Sequence, residues 1–160
     1  MKRAACLVLI LACACAQVDL RPPQEVEFDL LGRMAARNGE QAFTGNVRWR
    51  HAGRGDEMLI STPLGQGVAR IVREGDAVQV TTAEGKEFRA ADSEALTERV
   101  LGFRLPIEGL ADWVQGKPSP ALEARGWKVE YLERDEKNRP RLIRMTYAGV
   151  QVRFAVTEWR

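Results

Sequence analysis

The chain has 160 residues with 24 Lys and Arg against 22 Asp and Glu, one His and three Cys. Two of the basic residues, Lys2 and Arg3, stand in an N-terminal leader, and setting them aside leaves 22 basic against 22 acidic side chains. A formally neutral domain lacks the basic field that nucleic-acid binding requires, and its length suits one domain with one core.

The leader MKRAACLVLILACACA places Lys2 and Arg3 before a short apolar run that ends in small residues and cysteines. An apolar core of about nine residues is too short to span a bilayer and has the layout of a secretory signal. The cysteines at its end give it the form of a lipoprotein signal, in which a cysteine becomes the first mature residue and carries lipid. Such signals want a branched aliphatic residue three places before that cysteine and a small one directly before it. Cys13, after Ile10-Leu11-Ala12, fits; Cys15, after Ala12-Cys13-Ala14, lacks the bulky aliphatic and is the alternative. An ordinary secretory signal without lipid is the third possibility. Residues 1–12 are thus expected to be the signal and residues 13–27 the lipidated cysteine and a tether, with Pro22-Pro23 and little periodicity. No cysteine follows residue 15, so the mature domain has neither an internal disulfide nor a cysteine-based metal site.

From Phe28 the pattern changes to short strands. Leu31 to Arg37 and Ala42 to Trp49 flank Asn38-Gly39-Glu40, a hairpin turn, and Val47 and Trp49 alternate with Arg48 and Arg50. Turns at 52–56, 63–65, 74–76 and 84–86 separate further strands near Glu57 to Ser61, Gly67 to Arg73, Ala77 to Thr82 and Glu87 to Ala90. Asp92 is placed to cap a helix over Ser93 to Leu101. Pro106 suits the first turn of a second helix that Gly116 and Pro118 close, and Ile107, Leu110, Ala111 and Val114 give it one apolar face. Three strands follow: Trp127 to Arg134, Arg141 to Tyr147 and Val150 to Trp159. The charge-rich run from Arg134 to Arg144 reads as a solvated hairpin turn, with a docking surface for a carrier or for headgroups as the alternative. Some nine antiparallel strands with two helices predict a mainly β fold, an unclosed barrel or strongly curved sheet with helices over its concave side.

The residues in this order resemble the LolB family: Leu31-Gly32-Arg33, Phe43-Thr44-Gly45-Asn46 to Trp49, Ser61-Thr62-Pro63-Leu64-Gly65, Leu101-Gly102 to Leu105-Pro106, Leu110 to Trp113 with Gly116, Gly126-Trp127 to Tyr131, and a final Trp159. Members of that family are outer-membrane lipoproteins that receive other lipoproteins from the periplasmic carrier LolA. The resemblance spans residues 28–160 and implies a LolA/LolB-like half-barrel with a hydrophobic cavity for acyl chains. It also implies a membrane-insertion loop at Pro63, Leu64 and Gly65, with Leu64 exposed. From the residues alone, that leucine either projects from the turn or folds back onto the barrel. Family members carry a longer, partly helical segment before the first strand, where this chain has only the tether ending near Glu27.

Candidates for the cavity wall are Trp49, Met58, Ile60, Val80, Leu110, Trp113, Trp127 and Phe154, each of which reads equally well as ordinary core. His51, the one histidine, reads as a surface loop residue. No Ser-His-Asp spacing stands out, and Gly65-Gln66-Gly67 lacks the lysine and strand-to-helix setting of a phosphate loop. Catalytic residues, metals and cofactors are therefore not expected. The expected partners are a LolA-type carrier, the acyl chains of cargo lipoproteins and outer-membrane lipid, with no nucleic acid and a monomeric chain. Neither Ala14 nor Ala16, the residues after the candidate cysteines, is the Asp that usually retains a lipoprotein in the inner membrane. The alternative is a lipid-tethered periplasmic β-domain that binds a protein partner and moves no lipid.

Overall fold

A computed structural model of the chain describes residues 25–90 and 92–160. The signal, the candidate lipidation sites Cys13 and Cys15, and the tether up to residue 24 lie outside the described residues. Nine strands form one antiparallel sheet: β1 (Phe28–Asn38), β2 (Gln41–Ala52), β3 (Gly55–Ser61), β4 (Gly67–Glu74), β5 (Ala77–Thr82), β6 (Glu87–Ala90), β7 (Lys128–Arg134), β8 (Pro140–Tyr147) and β9 (Val150–Trp159). Their order is β6-β5-β4-β3-β2-β1-β9-β8-β7, so the first and last strands pair at the centre and the sheet ends in two free edges, β6 and β7. The chain crosses from one edge to the other through three short helices, α1 (Ser93–Leu101), α2 (Leu110–Val114) and α3 (Pro120–Ala124). The helices therefore lie over the mouth of an unclosed barrel, as the strand count and the resemblance imply.

Alternation sets which side faces in. Phe28, Leu30, Met34 and Ala36 of β1, Val47 and Trp49 of β2, and Val150, Val152, Phe154 and Val156 of β9 are all buried, while the residues between them are half-buried or exposed. Gly32 marks the centre of the inner face. A Cβ there would stand 2.7 Å from the Phe154 ring and 2.8 Å from the Ala155 carbonyl, so only glycine lets that ring lie across β1.

The helical connection departs from expectation in two places. The second helix begins at Leu110 rather than at Pro106, because Gly109 takes a left-handed φ of 81° and breaks the backbone before the first helical turn. A third helix, with Pro120 at its first turn, lies between the second helix and β7, where only two helices were expected in all. The charge-rich hairpin is a self-satisfied turn: Asp135 Oδ1 accepts from the backbone of Lys137 and Arg139, at 3.0 and 2.8 Å, and Oδ2 accepts from Arg139 Nε at 2.7 Å.

Candidate functional site

Inward-facing side chains of β1, β2, β3, β4 and β9 meet the underside of the helical connection around a small apolar cavity. Met34, Val47, Trp49, Met58, Ile60, Ile71 and Phe154 form the sheet side; Thr97, Leu101, Leu105, Ile107 and Leu110 form the lid side. The cavity measures about 30 Å³, roughly the room one water needs and far below the ~300 Å³ of the smallest ligand pockets. The interior is thus apolar but shut. Of the eight wall residues expected from sequence, Trp49, Met58, Ile60, Leu110 and Phe154 come together here. Val80 packs one strand outward beside Ile71 and opposite Phe88. Trp113 is fully buried in α2, its indole N–H without a hydrogen-bond partner among the described residues. Trp127 lies before β7 and stacks on Tyr147 at 5.3 Å. Met34, Val47 and Ile71 were findable by extending the strand alternation; Leu105 sits in irregular chain that carries no period, and Ile107, expected on the apolar face of the second helix, lies in irregular chain just before it.

The lid is bonded mainly to itself. Asp92 Oδ1 caps α1 by accepting from the amides of Glu94 and Ala95 at 2.9 and 3.3 Å. The Ser93 hydroxyl donates to Glu108 Oε2 at 2.7 Å and accepts from the Ile107 amide at 3.3 Å. The Thr97 hydroxyl, in the cavity wall, accepts from the Leu105 amide at 2.8 Å and lies 2.9 Å from the Leu105 carbonyl. Outside, Arg104 reaches Asp92, Glu94 and Glu98, each at 3.3 Å, and Arg125 pairs with Glu94. These bonds join α1 to the segment that follows it, while the contact with the cavity's sheet wall is apolar side chain on apolar side chain. Such a cap is able to move as one body without unpairing buried polar groups.

Beneath the cavity a buried carboxylate ties three strands together. Asp56 Oδ1 accepts from Trp49 Nε1 and lies beside His51 Nδ1, both at 2.8 Å; its Oδ2 accepts from Arg73 Nε at 2.7 Å. With a carboxylate as acceptor, Nδ1 of His51 carries the proton. His51 stacks on Phe28 at 5.2 Å and is only 7% exposed, so it is a core residue at a strand end and not the surface loop residue expected. The missed signal is its place in the series Val47, Trp49, His51, which shares one face of β2. Among the described residues no group of three or more His, Cys, Asp or Glu side chains is arranged to hold a metal ion.

Leu64 stands on a tight loop between β3 and β4. The Thr62 amide donates to the Gln66 carbonyl at 2.8 Å, the Gly65 amide to the Thr62 carbonyl at 2.9 Å, and Asn46 Nδ2 to the Thr62 carbonyl at 3.1 Å. Gly65 takes a φ of 87°, which closes the turn. Held this way, Leu64 projects outward and is 92% exposed. Such exposure forgoes about 1.5–3 kcal/mol of burial, a gain available on contact with an apolar phase.

A profile of the family described as outer membrane lipoprotein LolB matches residues 26–159. The outer-membrane lipoprotein LolB of Thiobacillus denitrificans is 33% identical, over 90% of this chain and 86% of that protein. The protein of the same name from Azoarcus sp. is 32% identical, over 97% of this chain and 92% of its own. Among solved structures, a LolA superfamily protein from Nitrosomonas europaea superposes with a TM-score of 0.53 at 12% identity, covering 88% and 87% of the two chains, a likeness of fold.

Proposed function

The chain belongs to the LolB family of outer-membrane lipoproteins, and we propose that it is a membrane-anchored acceptor that takes lipoproteins from a LolA-type carrier and inserts them into the outer membrane. The observation that carries this beyond family membership is the apolar interior under a lid bonded mainly to itself. Acyl chains of the cargo enter by displacing the lid, exchanging lid-to-sheet contacts for chain-to-sheet contacts. Since the interior is already dry, entry gains less than the roughly 0.8 kcal/mol per methylene of burial from water. Modest affinity suits an intermediate station, because each 1.4 kcal/mol of excess binding slows release about tenfold if it falls on the off-rate. Direction comes from graded affinity, tighter than the carrier and weaker than the bilayer, and no bond is made or broken. Cys13 is the proposed lipid attachment, with Cys15 as alternative, and Leu64 is the side chain that dips into the membrane at delivery.

The test is transfer in solution. A LolA-type carrier loaded with a photocrosslinkable lipidated cargo is mixed with residues 17–160 of this chain. Cargo crosslinked to this chain supports the acceptor. Cargo retained by the carrier, with this domain folded, leaves a lipid-tethered interaction module in its place.

A further inference from the structure

The outer face of the sheet, opposite the shut interior, carries a groove of about 730 Å³ that crosses β1 to β5. The strand register sets its central row as Leu31, Arg48, Leu59, Arg70 and Thr81, one residue from each strand. Leu59, 42% exposed, and half-buried Leu31 and Val68 supply an apolar floor. Arg33, Arg48 and Arg70 stand along it, and among the described residues no carboxylate lines it. Two of the three guanidiniums are tethered by acids outside the lining, Arg48 by Asp29 at 3.0 Å and Arg70 by Glu57 at 2.8 Å. Each still has N–H donors to offer. Arg33 has no carboxylate partner among the described residues. At one end the groove is lined by Ser61 and Gly67, which flank the loop of Leu64.

We propose that this groove binds the phosphodiester headgroup of a membrane phospholipid, with the phosphate on the arginines and the glycerol and first methylenes over Leu59 and Val68. Planar guanidiniums match phosphate oxygens two at a time, and an apolar floor beside them suits a ligand whose charge adjoins hydrocarbon. Depth favours a lipid over an acidic peptide. Ser61 precedes Leu64 by three residues of a tight turn, at most about 10 Å of chain. With Leu64 in the acyl region, the groove lies level with the phosphates, which is the depth at which interfacial segments sit. The site rests on the reading of Leu64 as the insertion residue, and it would fix the domain's tilt on the bilayer while cargo is released.

The experiment uses the full lipidated chain in vesicles of phosphatidylethanolamine and phosphatidylglycerol doped with a phospholipid photoreactive at its headgroup. Crosslinks are expected on β3 and β4 around Leu59 and Val68. Their yield should fall about fivefold for each of Arg33→Gln and Arg70→Gln, with the thermal midpoint as a folding control. Crosslinks on residues 62–66 alone would overturn the headgroup site while leaving the insertion loop intact; none on either would remove the loop reading itself. Protection by millimolar glycerol phosphate equal to that by lipid would assign the groove to a free phosphate ester. If the double variant Arg33→Gln with Arg70→Gln loses the LolA-type carrier but keeps its headgroup crosslinks, the groove is a protein-docking surface and the lipid assignment falls.

Discussion

The Trp49 indole N–H donates to Asp56 Oδ1 at 2.8 Å, so a ring that walls the apolar interior is aimed by a carboxylate whose side chain is 1% exposed. Asp56 also holds Arg73 and His51 and thereby fastens β2, β3 and β4 below the cavity. Asp56→Ala strands a guanidinium and an indole N–H in a buried site and is expected to destabilise the fold by about 3–5 kcal/mol. Burial pushes the Asp56 carboxyl up, but hydrogen bonds from His51 and Trp49 and the Arg73 charge outweigh it and hold it below its ordinary 3.8. A carboxylate lowered in the folded state contributes stability that is complete above its unfolded value and drains as pH falls through the folded one. The difference in thermal midpoint between wild type and Asp56→Asn should therefore shrink as pH falls below about 4. A difference that does not change on acidification would show that Asp56 is not the charged hub of this network.

Thr97 closes the lid through one hydroxyl shared with both backbone groups of Leu105. Thr97→Val keeps the shape and leaves the Leu105 amide unpaired, a loss of about 1–3 kcal/mol. Hydrogen exchange at Leu105 should quicken by about fivefold to a hundredfold, and an apolar fluorescent probe should enter faster. Unchanged exchange together with unchanged probe entry would mean that the lid opens elsewhere.

Much of this architecture was legible because a strand's period of two is local. The nine strands, the Asn38-Gly39-Glu40 hairpin and the capping Asp92 follow from neighbours in sequence, and all are present. What eluded the sequence depends on partners far along the chain. His51 looks exposed beside Arg50 until the register sets it opposite Asp56 and under Phe28. Pro106 looks like a helix start until Gly109, packed against Ser119 and Leu122, takes a left-handed turn. Alternation also marks Trp49, Met58 and Phe154 as inward without saying whether they meet. Only the packed lid shows the space between them closed to about 30 Å³.

Leu64 makes the sharpest functional test because its side chain supports nothing in the fold. At 92% exposure, Leu64→Glu should change stability by less than about 0.5 kcal/mol. Placing a charge where an apolar tip enters lipid should leave receipt of cargo from the carrier intact and stop its insertion into vesicles. Cargo would then accumulate on this protein, measurable by pull-down against vesicle flotation. Normal insertion by this variant would remove Leu64 from the delivery step.

Strand register adds a constraint on the tether. Phe28, His51 and Asp56 share one row, whereas the Leu64 loop leaves β3 after Ser61 at the other end of that strand. Counted along extended chain, Leu64 stands roughly 25 Å from the level at which β1 begins. If Cys13 carries the lipid, the segment from it to Glu27 spans at most about 45–50 Å, enough to run back past the domain and set both anchor and loop in one bilayer. Deleting residues 17–24 leaves about 20 Å, which falls short. The shortened, lipidated chain should take cargo from the carrier as before yet insert it as poorly as Leu64→Glu, and a Gly-Ser replacement of the same length should restore insertion. Full insertion by the shortened chain would mean that the loop need not reach the membrane that holds the anchor.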